Sequence, residues 1–72
     1  MKHKLDNNVK SYRVWRGIKQ IELAHLCNIG VSTIRNIERK KYVPRLVIRI
    51  KLSQFFGVSL EQLFFKYDDD NN

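Results

Sequence analysis

The sequence predicts an all-α fold, a compact bundle of five short helices, and three observations predict it. Apolar residues recur at helical spacing through Gln20 to Glu38, with Leu23, Ala24 and Cys27 at i, i+1, i+4 and Ile34 and Ile37 at i, i+3. Start and stop residues fall where such helices need them, with Gly17, Asn28 and Gly57 as stops and Ser59 with Gln62 as a capping pair. No strand alternation of any length interrupts the pattern, and 72 residues leave room for one domain, 1–72, with a small core.

Along the chain, Met1 to Leu5 reads as a flexible basic lead, and His3 has no partner spaced for a metal site. Asp6, Asn7 or Asn8 caps a first helix running to about Arg16, with Val9 and Tyr12 on its buried face; Val14 and Trp15 are expected to widen that buried stripe, the alternative being an exposed apolar patch. The second helix starts near Gln20. Lys19 stands where a Ser, Thr or Asp cap belongs, while Glu22 supplies the other half of a capping box, so a phosphate contact at this helix start is one compensation for the missing cap. Ala24 is small enough to let another helix cross closely.

Asn28 turns the chain, since Asn accepts a left-handed backbone without large strain, and Ile29 folds back over Leu23 and Ala24. Gly30 opens a third helix that runs to about Glu38 and leaves Val31, Ser32, Arg35 and Asn36 pointing outward. Pro44 suits the first turn of a fourth helix, which buries Leu46, Ile50, Leu52 and Phe56 and stops at Gly57. A fifth helix begins near Leu60, set by the Ser59–Gln62 capping box and a Val58–Leu63 staple, and an acidic tail covers residues 68–72.

Charge narrows the class of partner. The chain carries 14 Lys and Arg against 7 Asp and Glu, a net +7, with a pI of about 9.9. Three of the acids are Asp68, Asp69 and Asp70, so 14 basic residues against four acids leave residues 1 to 67 at +10. Arg39, Lys40, Lys41, Arg45, Arg49 and Lys51 supply six positive charges without an acid among them, directly after the outward face of the third helix. Such a body is poised for a polyanion. The single cysteine, Cys27, allows no internal disulfide and sits on an apolar stripe, where it acts as a small buried hydrophobe. No apolar run is long enough for a membrane span or a signal peptide, which places the protein in the cytoplasm, and no catalytic residues, metal ligands, cofactor or small-molecule ligand are indicated.

These residues carry a family resemblance. Gly17-Ile18-x-Gln20-x-x-Leu23-Ala24, Ser32-Thr33-Ile34-x-x-Ile37-Glu38, Pro44-x-Leu46 and Gly57-Val58-Ser59-Leu60-x-x-Leu63-Phe64 occur in that order, and the chain from about Asn8 to Phe64 resembles the phage repressor and Cro-like helix-turn-helix proteins, the XRE family. The resemblance implies a lambda repressor-like domain and sequence-specific binding of double-stranded DNA by a small transcriptional repressor. It implies that the third helix lies in the major groove, with Val31, Ser32 and Asn36 reading bases and Arg35 within reach of guanine or phosphate. Gln20 touches a phosphate on the same ground, and Arg45 grips the backbone with Thr33, Lys40 and Lys41 as helpers. Arg13 and Glu38 match a salt bridge that ties the first helix to the end of the third. The sequence departs from the family at Lys19, at Asn28 in place of a glycine, at Gly30 in place of a serine and at Arg49 in place of a leucine.

Proteins of this family usually bind as two-fold dimers, and Phe64, Phe65 and Tyr67 crowd more aromatic surface near the chain's end than a small domain easily hides, which suggests a homodimer interface there. The same three aromatics alternatively close the core. Two other functions compete: an antitoxin-type regulator docking a protein partner on the aromatic C-terminal surface, and a peripheral membrane protein using the basic stretch Arg39 to Phe56.

Overall fold

The computed structural model describes residues 3–68, with side chains described for 6–65. Five helices follow one another as α1 (Val9–Trp15), α2 (Gln20–Cys27), α3 (Val31–Glu38), α4 (Leu46–Phe56) and α5 (Leu60–Leu63). Each stops or starts on the chemistry its sequence supplies. Gly17 and Gly57 take φ of +71° and +70°, which a side chain would strain, and Asn28 takes φ 55°, ψ 51° between α2 and α3. Ser59 and Gln62 exchange reciprocal hydrogen bonds, Ser59 N–H to Gln62 Oε1 at 2.9 Å and Gln62 N–H to Ser59 Oγ at 3.1 Å. At α2 only half of such a box exists. Glu22 Oε1 accepts the Lys19 N–H at 2.7 Å, while the ammonium of Lys19 has no lone pair to return the bond.

Val9, Leu23, Ile34, Ile37, Leu52 and Leu63 are fully buried and form the core, with Ala24, Cys27, Ile29, Phe56 and Phe64 packed around them. Ile29 folds back as its position predicts, its N–H bonded to the Ala24 carbonyl at 2.9 Å. Burial pushes the Cys27 thiol up, only partly offset by Lys51. Because the reactive species is the thiolate, Cys27 is expected to react with Ellman's reagent at least roughly ten times more slowly in the folded chain than in urea. Equal rates would mean that the core opens readily.

The structure corrects the sequence-based picture at both ends of the chain. His3–Asn7, expected as part of a flexible lead and a capping segment, forms strand β1, and Phe64–Asp68 forms strand β2; they pair antiparallel from His3 opposite Asp68 to Asn7 opposite Phe64. Neither segment alternates in hydrophobicity. Backbone hydrogen bonding specifies the pair, and an Asn8 N–H to Leu63 carbonyl bond at 3.0 Å continues it. Asp68, expected in the acidic tail, belongs to β2, and the rest of the tail lies outside the described residues.

Other differences concern burial. Val14 and Trp15 are 58% and 83% exposed and stand outside the core, the apolar-patch alternative, and Leu46 is 51% exposed. Pro44 is buried just ahead of α4, with Arg45 at the cap position, so it precedes the first turn instead of occupying it. Arg49, replacing the family's leucine, donates from Nε to the Pro44 carbonyl at 3.0 Å and so braces the approach to α4.

Candidate nucleic-acid interface

Helix α3 has two unlike faces. Ile34 and Ile37 are fully buried on one, while Ser32 and Arg35 are exposed and Val31 and Asn36 half-buried on the other, with Thr33 half-buried beside Ile37. Val31 also leans on the core, which leaves only part of its surface outward. Exposed cations stand on the segments before and after α3. Lys19 is exposed at the start of α2, Arg39, Lys40 and Lys41 are exposed after α3, and Arg45 is exposed at the start of α4. The run of six positive charges therefore divides by role. Four remain exposed, Lys40 among them although it pairs with Asp6, whereas Arg49 is spent on the Pro44 carbonyl and Lys51 donates to the Asn28 carbonyl at 3.3 Å.

Only one acid stands beside α3's last turn from within the helix, and it is neutralised. Glu38 Oε2 accepts from Arg13 Nε at 2.6 Å, and its Oε1 accepts from Arg13 Nη2 and from Gln20 Nε2, both at 3.0 Å. The side chains are 12% and 3% exposed for Arg13 and Glu38, and Arg13 also donates to the Ile18 carbonyl at 2.8 Å. This fork ties α1, the start of α2 and the end of α3 together, and the bond to Glu38 holds Arg13 above its ordinary pKa. Gln20, expected at a phosphate, has one amide N–H committed to Glu38, a partner its resemblance-based role did not include. An unpaired carboxylate here would repel phosphate; a bidentate one does not.

A second tie comes from β1. Asn7, only 8% exposed, donates from Nδ2 to the Ile37 carbonyl at 3.0 Å, and its Oδ1 accepts the Val9 N–H at 3.0 Å, so it satisfies the first donor of α1 from the position before the N-cap residue Asn8, whose own side chain makes no capping bond. Asp6 pairs with Lys40 at 2.6 Å, and the Lys40 ammonium holds the Asp6 carboxyl below the usual carboxylate range. Lys40 itself carries φ 60°, a left-handed turn that ends α3. Asp6 and Asn7 were singled out in the sequence only as alternative caps of the first helix.

Of the expected site residues, Lys19 and Gln20 lie at the start of α2, Val31, Ser32, Thr33, Arg35 and Asn36 on α3, Lys40 and Lys41 just after it, and Arg45 at the start of α4. The proposed dimer aromatics fare differently. Phe64 is 6% exposed within the core, so it closes the domain and offers no surface; Phe65 is half-buried; the Tyr67 side chain lies outside the described residues.

Two short helices joined at a left-handed Asn, the second amphipathic and fringed with cations, define a helix-turn-helix DNA-binding domain. A helix-turn-helix family profile matches residues 9–63. Uncharacterized HTH-type transcriptional regulators are similar over most of the chain: one of Methanocaldococcus jannaschii is 36% identical over 92% of this chain and all of its own length, and one of Archaeoglobus fulgidus is 32% identical over 86% of this chain and 87% of its own. YgzD of Bacillus subtilis is 27% identical over 92% of this chain and all of its own length. The chain belongs to the XRE family of phage repressor and Cro-like helix-turn-helix proteins, a family of DNA-binding transcriptional regulators.

Proposed function

We propose that this regulator is a repressor that places α3 in the major groove of double-stranded DNA. The observation that carries the proposal is the composition of α3's outward face: Ser32, Arg35 and Asn36 stand opposite the fully buried Ile34 and Ile37, with outward cations on either side. Asn36 is suited to a bidentate pair with adenine, Arg35 to guanine or a phosphate, Ser32 to either donor or acceptor, and the free part of Val31 to a thymine methyl. Lys19, Gln20, Thr33, Lys40, Lys41 and Arg45 take phosphates and set the register. Gln20 does so from an amide already anchored on Glu38.

Two copies bind on one side of the duplex, with recognition helices about 34 Å apart to meet successive major grooves. With Phe64 inside the core, the contact between copies falls on Phe65 and its surroundings on α5 and β2, including Tyr67. A monomer at tens of micromolar in sedimentation would place self-association on the DNA instead. Selection from a random duplex library at two salt concentrations tests the whole proposal, because an enriched two-fold motif at the higher salt is the expected product. Steep loss of all binding with salt and no motif would leave only a basic helical module.

Readers and grippers separate by mutation. Asn36→Ala is expected to cost about 1 to 3 kcal/mol on the selected site and to relax one base position. Arg45→Ala is expected to weaken every sequence alike and to lower the salt slope by about one. Identical behaviour of the two variants in titrations on selected and shuffled duplexes would refute the division.

A further inference from the structure

The last turn of α3 is held by two independent ties, and β1 supplies one of them. An eight-residue helix has little stability of its own, so its pose depends on what its ends are fastened to. The Arg13–Glu38–Gln20 fork fastens it to α1 and α2. Asn7 fastens the neighbouring residue to the sheet: the Ile37 carbonyl accepts both the Lys40 N–H at 2.9 Å and Asn7 Nδ2 at 3.0 Å, filling both of its lone pairs. Asp6 adds the contact to Lys40, one turn beyond the half-buried Asn36.

We propose that Asn7 is a positioning residue for DNA recognition, a buried amide that β1 carries to the end of α3 to fix the angle at which that helix presents Arg35 and Asn36. The proposal rests on the reading of α3 as the base-contacting helix. Its logic is geometric. Bidentate bonds to base edges weaken steeply with small errors of distance and angle, whereas long Lys and Arg side chains follow a phosphate through such errors. Loosening the Asn7 tie therefore costs selectivity before it costs attraction. The sheet gives the tie a further consequence, because β1 is paired along its length with β2, so any contact made on β2 is connected to the reading helix through one strand.

Asn7 does two things, and substitutions separate them. Its Oδ1 caps α1, while its Nδ2 holds Ile37. Asn7→Ser keeps an oxygen able to cap and removes the amide that reaches Ile37; Asn7→Asp keeps a strong cap and turns the donor into an acceptor facing a carbonyl. Two measurements are made on each folded variant. One is the ratio of affinities for the duplex selected from the random library and for a shuffled duplex of the same composition. The other, without DNA, is hydrogen exchange at the Lys40 and Lys41 amides, which bond to the Ile37 and Asn36 carbonyls, referred to amides within α1 and α2.

The expected result is a roughly ten-fold fall in the selectivity ratio, with shuffled-duplex affinity of Asn7→Ser within about two-fold of the parent, and a selective loss of protection at Lys40 and Lys41. Should Asn7→Ser fail to fold, Asn7→Asp carries the same expectation for the ratio and the exchange. Unchanged ratio and unchanged protection overturn the proposal and leave α3's role intact. Lost protection in a chain whose parent selects no sequence overturns the base-reading role of α3, and with it the role of Asn7 in recognition.

Discussion

Glu38→Ala is expected to destabilise the protein by about 3 kcal/mol, the largest effect of any polar substitution in the described structure. Its carboxylate is 3% exposed and accepts three hydrogen bonds, two from Arg13 and one from Gln20. Truncation leaves the Arg13 guanidinium, 12% exposed, with the Ile18 carbonyl as its one remaining partner among the described residues. An uncompensated charge so poorly hydrated costs more than the pair contributed, which is why removing one partner and removing both differ in kind. In a chain of this size, total stability is of the order of 5 kcal/mol, and the loss corresponds to a fall in Tm of roughly 15 °C. Thermal melts followed by circular dichroism measure it. Arg13→Leu combined with Glu38→Leu is expected to recover most of the loss, because apolar residues of similar volume fill the space without a charge to desolvate. A Glu38→Ala melt within about 1 kcal/mol of the parent would show that water reaches the pair and that it behaves as a surface ion pair.

That pair also marks the boundary of what local sequence can tell. Gly17, Asn28, Gly57 and the Ser59–Gln62 box act on neighbours within four residues, so their chemistry is visible in the order of residues and the helices they bound appear where expected. Arg13 and Glu38 are 25 positions apart, and no periodicity couples them; the resemblance to a family supplied the match. Where neither route operated, the sequence was silent. β1 is specified by a partner about sixty residues away and by Asn7 reaching Ile37, and the segment HKLDN has too little apolar pattern to announce a strand. The same silence covers the basic run: counting charge from Arg39 to Lys51 gives a correct sum, but only contacts show that Arg49 and Lys51 are turned to backbone carbonyls and that Lys40 pairs with Asp6, while Arg39, Lys41 and Arg45 are exposed.

Two leucines of α4 turn that distinction into a measurement. Leu46 and Leu52 were both expected in the core, yet Leu52 is 0% exposed and Leu46 is 51% exposed. At 3.6 residues per turn, Ile48 and Phe56 fall roughly 40° either side of Leu52, whereas Leu46 lies roughly 120° away from it. The stripe that faces the core is therefore centred on Leu52, and Leu46 is apolar without being inside. Leu52→Ala is expected to cost about 2 to 5 kcal/mol, since the deleted methyls lose their burial and leave a cavity among Leu23, Leu63 and the other core residues that can close only partly. Leu46→Ala is expected to stay within about 0.5 kcal/mol, as exposed substitutions do. Urea titrations of both variants decide the matter, and the midpoint should move with little change of slope, because neither substitution alters how much surface unfolding exposes. If Leu46→Ala proved as costly as Leu52→Ala in a monomeric sample, α4 would have to sit rotated from the orientation that buries Leu52 and Phe56. A Leu46 cost that grew with protein concentration would have a different physical cause, a second copy covering the exposed side of α4.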